Sequence, residues 1–111
     1  MSPRPPFTYT QPVAVLVGRW TVSMGEGLAI GFDATRTGFV VGTAMAGLVG
    51  ATTPIMLPRT GIGINLPYER LFHVNGMPRE AFQPKVVVDV AQGAPGRDPF
   101  IDAALTVITD R

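Results

Sequence analysis

The runs VAVLV at residues 13–17 and FVVGT at 39–43 are short and unbrokenly apolar, and one helix-length segment separates them. Valine-rich runs of this kind read as strands buried on both faces, the usual state in a parallel sheet. Strand, helix and strand over some thirty residues predict a βαβ unit with a right-handed crossover. The helix is expected from about Ser23 to Ala34, and its only charges, Glu26 and Asp33, suggest that it is largely buried.

Beyond this unit the pattern changes. AGLVGATTP reads as a glycine-rich loop. Ile55–Leu57, the PRTG turn and IGINLPYERLFHV read as a hairpin, with Ile62, Ile64 and Leu66 alternating as on a half-buried strand. Pro67 places that strand at an edge or ends it. Asn75-Gly76 marks a turn, and VVVDV a further short strand. DPFIDAALTVI predicts a closing helix with Asp98 as its cap and Pro99 in its first turn. Residues 1–12, with four prolines, read as an extended arm and 13–111 as the folded portion. The fold class expected is α/β. Such a sheet needs helices on both sides, and the second arrives only at the end of the chain, so a bare face or a bare edge strand is expected.

Composition narrows the function. Only 15% of residues are charged and the net charge is +1, with basic residues scattered singly; nucleic-acid binding is therefore not expected. No apolar run approaches the roughly 20 residues of a bilayer span. The start has no apolar core like that of a signal peptide, and the compartment stays open. With no cysteine and with the acids dispersed, neither a metal site nor a cofactor is expected. The loop GTAMAGLVG lacks the lysine and Ser/Thr of a phosphate-binding loop and reads as an active-site or packing loop.

Few residues are left for nucleophilic chemistry: two serines (Ser2, Ser23), Lys85 and His73. In SMGE, Ser23 and Glu26 fit a capping box, in which the hydroxyl accepts from the first turn and the carboxylate reaches back to the cap's N–H. That reading requires no catalysis. The other reading notes that Ser23 stands at a strand-to-helix turn, where free N–H groups and the helix dipole favour negative charge. Gly25, Gly27 and Gly31 in the helix suggest close packing, since glycine costs about 1 kcal/mol per site in a helix interior. Trp20 reads as packing, His73 as a structural or surface residue on a hairpin strand, and Glu80 either as a solvated turn residue beside Arg79 or as part of a site.

VAVLVGRWTVSMGEGLA resembles the nucleophile segment of the C-terminal processing, or tail-specific, serine peptidases: an apolar strand, a turn, then T-x-S-x-x-E entering a helix. FVVGTAMAG resembles their V-V-G-x-x-T-x-G loop, IMLPRTGIGINLPYERLFHVNG their L-P-x-G hairpin, REAFQPKVVVDV their E-G-x-G-V-x-P-D segment and following strand, and RDPFIDAAL their closing helix. The resemblance spans about residues 12–108 and implies the C-terminal half of a Clp-protease/crotonase-like domain. It further implies that Ser23 is the nucleophile of peptide hydrolysis and that the Met24 N–H contributes to the oxyanion hole.

The chain departs from the lysine-dependent branch. Leu48 fills the position of the lysine, Met45 that of the threonine, and Lys85 falls where the family has an aspartate. A second branch, resembling the tricorn core protease, uses a histidine upstream of the nucleophile strand and a glutamate downstream. Glu80 falls where that glutamate would be. The expectation is a serine-type peptidase fragment acting on a peptide or protein, inactive alone, its base carried by an N-terminal half absent from this chain or its bare surface covered by self-association. The alternative is a non-catalytic relative that serves as an assembly or peptide-binding module, with Ser23 only a cap.

Overall fold

The structure, a computed structural model, describes residue 6 and residues 8–110. Half of the arm expected over 1–12 thus lies outside the described residues, and residues 8–12 carry neither helix nor strand. The βαβ unit is present: β1 (Ala14–Val17), α1 (Met24–Thr35) and β2 (Phe39–Gly42), with β1 and β2 parallel, Ala14 opposite Phe39 and Val17 opposite Gly42.

This register sets Val15, Val17 and Val40 on one face of the sheet, because alternate residues of a strand point to opposite sides. There Val17 and Val40 meet Ala29 of α1 and Phe82 in the buried core, with Val15, Ile30, Met45 and Met77 packed around them. Leu16 and Val41 face the other way, toward α2 (Pro99–Thr109), which packs on β1 and β2. Asp98 caps α2 as expected, accepting from the Phe100 N–H at 2.8 Å. Both faces therefore have a helix, and both edge strands of the sheet carry an exposed apolar residue, Leu16 on β1 and Val87 at the other edge.

Gly42 makes the close approach of the two strands possible. Its φ is +146°, and a Cβ there would lie 1.9 Å from the Val17 carbonyl oxygen. On the far side of β2 stands β5, shortened from the expected VVVDV to Val86–Val87. Val88 continues the pairing by one bond to the Gly42 carbonyl, at 2.9 Å. Asp89 then turns the chain, its carboxylate accepting from the Ala91 N–H at 3.0 Å, where a short 3-10 turn runs over Val90–Gln92.

The hairpin is β3 (Thr52–Met56) and β4 (Gly63–Pro67), antiparallel, with Thr52 opposite Pro67 and Ile55 opposite Ile64. Its first strand begins earlier than expected and takes in Thr52–Pro54, read from the sequence as loop. Prolines are tolerated because each strand of a lone hairpin is an edge. His73 is not on a hairpin strand: β4 ends at Pro67, and His73 sits in a turn closed by the bridge Phe72–Pro78 and the Asn75-Gly76 corner. The hairpin is exposed almost throughout. Two strands alone are marginal in water.

Helix α1 corrects a further expectation. Only Glu26 and Ala29 on it are fully buried, while Met24 and Leu28 are exposed. Nor do its glycines mark tight packing, since a Cβ on Gly31 would meet nothing within 4 Å. The whole chain is open: it exposes 8318 Å², against about 5,900 Å² for a compact chain of its mass. Its radius of gyration is 17.7 Å, against about 13 Å.

Candidate active site

Between β1 and α1 the chain turns sharply. The Thr21 hydroxyl accepts from the Gly18 N–H at 3.0 Å, and Thr21 N–H returns to the Gly18 carbonyl at 2.7 Å. Ser23 follows with φ 52° and ψ −116°. An ordinary N-cap has β-region angles. A non-glycine residue at positive φ carries roughly 1–3 kcal/mol of strain and persists only where its surroundings over-determine it.

Those surroundings are specific. The Ser23 N–H donates to Glu26 Oε2 at 3.0 Å. The Ser23 carbonyl accepts from Arg79 Nη2 and, at 3.1 Å, from the Gly27 N–H. Both backbone polar groups of the strained residue are thus pinned. The capping box expected of SMGE is present, with the exposed Ser23 side chain set against the Glu26 N–H and the Glu26 carboxylate on the Ser23 N–H, although the Ser23 side of it falls short of hydrogen-bond geometry. The Met24 N–H, at the first helical position, has no hydrogen-bond partner among the described residues.

Glu26 is the hub. It is 1% exposed, and its carboxylate accepts four hydrogen bonds. Oε2 takes the Ser23 N–H and Arg79 Nη2, the latter at 2.6 Å; Oε1 takes the N–H groups of Gly47 and Leu48, at 2.7 and 3.2 Å. The glycine-rich loop therefore does bind an anion, and the anion is the protein's own Glu26. Its φ of +75° at Gly47 opens the backbone for this. Arg79 is 5% exposed, and the pair is a buried, hydrogen-bonded ion pair, the form in which a buried charge is tolerated.

The capping-box half assigned to Glu26 was legible, but its reach to Gly47, Leu48 and Arg79 was not. The signal was present: a lone carboxylate on the inner face of an apolar helix demands a cation. Arg79, which comes from 53 residues away, enters the sequence reading only as the neighbour of Glu80.

Glu80, the expected downstream glutamate, follows directly. Its carboxylate pairs with Arg70 Nη2 at 2.6 Å, while Oε2 is buried without a hydrogen-bond partner. A backbone N–H of Glu80 itself, and then Arg70, hold its carboxyl below the usual carboxylate range. Leu48 is exposed and offers no base. Lys85 and His73 are gathered elsewhere: Lys85 Nζ lies 2.7 Å from Asp33 Oδ1, and His73 Nε2 3.2 Å from Asp33 Oδ2. Asp33 is ten residues along α1 from Ser23, about 15 Å at 1.5 Å per residue. His73 is buried and stacked on Phe82, a structural residue. Trp20, expected to pack, is 80% exposed. Among the described residues, no helix is long and apolar enough to cross a membrane.

This geometry combines an exposed serine on a strained strand-to-helix turn, a free N–H on the next residue and a buried ion pair that holds the turn. Of these, the exposed hydroxyl and the adjacent free N–H are groups that serine acyl transfer uses, together with a base. No curated protein matches the chain. The family model for peptidase family S41 matches residues 2–90, from the N-terminal arm through the turn at Ser23 to the end of VVVDV. The chain belongs to peptidase family S41, a family of serine peptidases acting on peptide or protein substrates.

Proposed function

We propose that residues 13–111 are the C-terminal half of a tail-specific-protease catalytic domain of Clp-protease/crotonase-like fold, with Ser23 as its nucleophile. The observation that carries the reading is the backbone of Ser23, strained at φ 52° and pinned at its N–H and its carbonyl. A capping box shares the Ser23–Glu26 and Gly27–Ser23 bonds, but it requires neither the positive φ nor the Arg79 contact at the carbonyl. In the reaction, Ser23 Oγ attacks the scissile carbonyl as a base takes its proton. The oxyanion is held by the Met24 N–H, the amine leaves protonated, and water hydrolyses the acyl-enzyme.

The base comes from a segment or chain that completes the domain. Two facts support this. The chain's only lysine and only histidine are both held at Asp33, and the molecule exposes about 2,400 Å² more than a compact chain of its mass. Glu80 is ionised at neutral pH and has a buried, unpartnered Oε2, which suits it to orient that base rather than to give a proton.

The same lack of a base favours a second reading, a non-catalytic assembly or peptide-binding module. Labelling separates the two. In the assembled protein, a fluorophosphonate probe is expected to modify Ser23, and Ser23→Ala to abolish the adduct. Peptidase activity that survives Ser23→Ala would remove the nucleophile assignment.

A further inference from the structure

The turn that carries Ser23 also walls a cleft. Gly18, directly after β1, and Thr43, directly after β2, form its floor, and Trp20, Val90 and Phe100 its sides; the space measures about 640 Å³. That lies within the roughly 300–1,000 Å³ of small-molecule sites. It opens at the carboxyl ends of two parallel strands, the place where open α/β sheets bind their ligands.

Trp20, Val90 and Phe100 give it an apolar side, and Arg19, Thr21 and Thr43 complete the lining. Trp20 is 80% exposed and Val90 is also exposed. The Arg19 guanidinium stands 5.0 Å from the Trp20 ring centroid, so one cation–π contact steadies the indole. An exposed tryptophan beside a cleft is costly to leave in water and is the side chain most often found anchoring a bound partner.

The distance to the nucleophile limits what can enter. Trp20 lies three positions before Ser23, at most about 11 Å of extended chain. An extended peptide advances about 3.4 Å per residue. A peptide held at Ser23 therefore brings to Trp20 a side chain no more than about three residues from the bond attacked.

We propose that this cleft is a specificity pocket for a large apolar side chain, aromatic or long aliphatic, of the peptide lying across Ser23. The assignment rests on the peptidase reading for its role in cleavage, while its ligand chemistry stands on the cleft alone. A cationic side chain would meet the Arg19 guanidinium and gain nothing from Val90, Phe100 and the indole, and glycine would leave them wet.

Trp20 is the chain's only tryptophan, so its emission reports occupancy without turnover. N-acetyl-L-phenylalaninamide and N-acetyl-L-leucinamide are expected to change the emission saturably, and N-acetylglycinamide is not. Phe100→Ala should weaken the response at least about fivefold, a loss of roughly 1 kcal/mol. Ser23→Ala should leave it unchanged, and this variant separates the two claims. Saturation in Ser23→Ala alongside absent fluorophosphonate labelling of the assembled parent protein supports the pocket and removes only the nucleophile. An equal response to the glycine amide, or no saturable response, overturns the pocket. So does an emission that shifts with protein concentration alone, since the cleft would then be covered by a second copy.

Discussion

Glu26 and Arg79 meet at 2.6 Å with almost no exposure, and between them they hold the N–H and the carbonyl of Ser23. A carboxylate on α1 and a guanidinium 53 residues later thus fix one backbone conformation. Removing one partner of a buried pair leaves an uncompensated charge and costs roughly 3–5 kcal/mol. Glu26→Gln and Arg79→Met are each expected to lower unfolding stability by about that amount. The double variant should lose less than the sum of the two, because neighbours in one network couple. Urea denaturation of the four proteins measures this; strictly additive losses would show that the pair is not a unit.

Gly31 offers the opposite test. It lies in the middle of α1, and a Cβ there meets nothing within 4 Å. Gly31→Ala should stabilise the isolated chain by about 1 kcal/mol through helix propensity alone, read as a higher melting temperature. A lower melting temperature would reveal packing on that face.

Glu80 makes a pH prediction. Its folded carboxyl titrates below its unfolded value, first through a backbone N–H of Glu80 itself and then through Arg70. Its stabilising contribution is therefore complete above the ordinary carboxylate range and is lost as pH falls through the folded value. In an NMR titration of the Glu80 carboxyl, Arg70→Ala should raise the midpoint without restoring the ordinary value, since the backbone hydrogen bond remains. An unmoved midpoint would contradict the role of the Arg70 pair.

The excess surface makes another. The edge strands, the hairpin and the apolar residues Met24 and Leu28 are exposed on a chain with only 15% charged residues. A standard interface covers roughly 800 Å² per partner. Light scattering on the isolated chain should find dimers or larger species, and a dye specific for apolar surface should fluoresce with it. A compact, dye-silent monomer would contradict the half-domain reading.

The parallel sheet was legible because valine runs flank a helix-length segment and little else satisfies them. The α2 cap was legible because Asp98-Pro99 is a local signal. What escaped depends on distant partners. Glu26 looks complete as half of a capping box until Arg79 and the 47–48 loop arrive. The strain at Ser23 leaves no mark in composition, because serine there is held by its neighbours rather than chosen for its angles. VVVDV lost its second half because Asp89 turned the chain into the 3-10 turn, and His73 left the hairpin because the Asn75-Gly76 corner closes around it.

Ser23→Gly tests the central claim most directly, since it removes the hydroxyl and relaxes the positive φ in one step. A strained nucleophile predicts that the variant melts at a higher temperature, by the equivalent of about 1–3 kcal/mol, and loses all fluorophosphonate labelling in the assembled protein. A helix cap in a non-catalytic module predicts a small loss of stability, a few tenths of a kcal/mol, and no labelling of Ser23 even in the assembled parent protein. That second result would contradict the account.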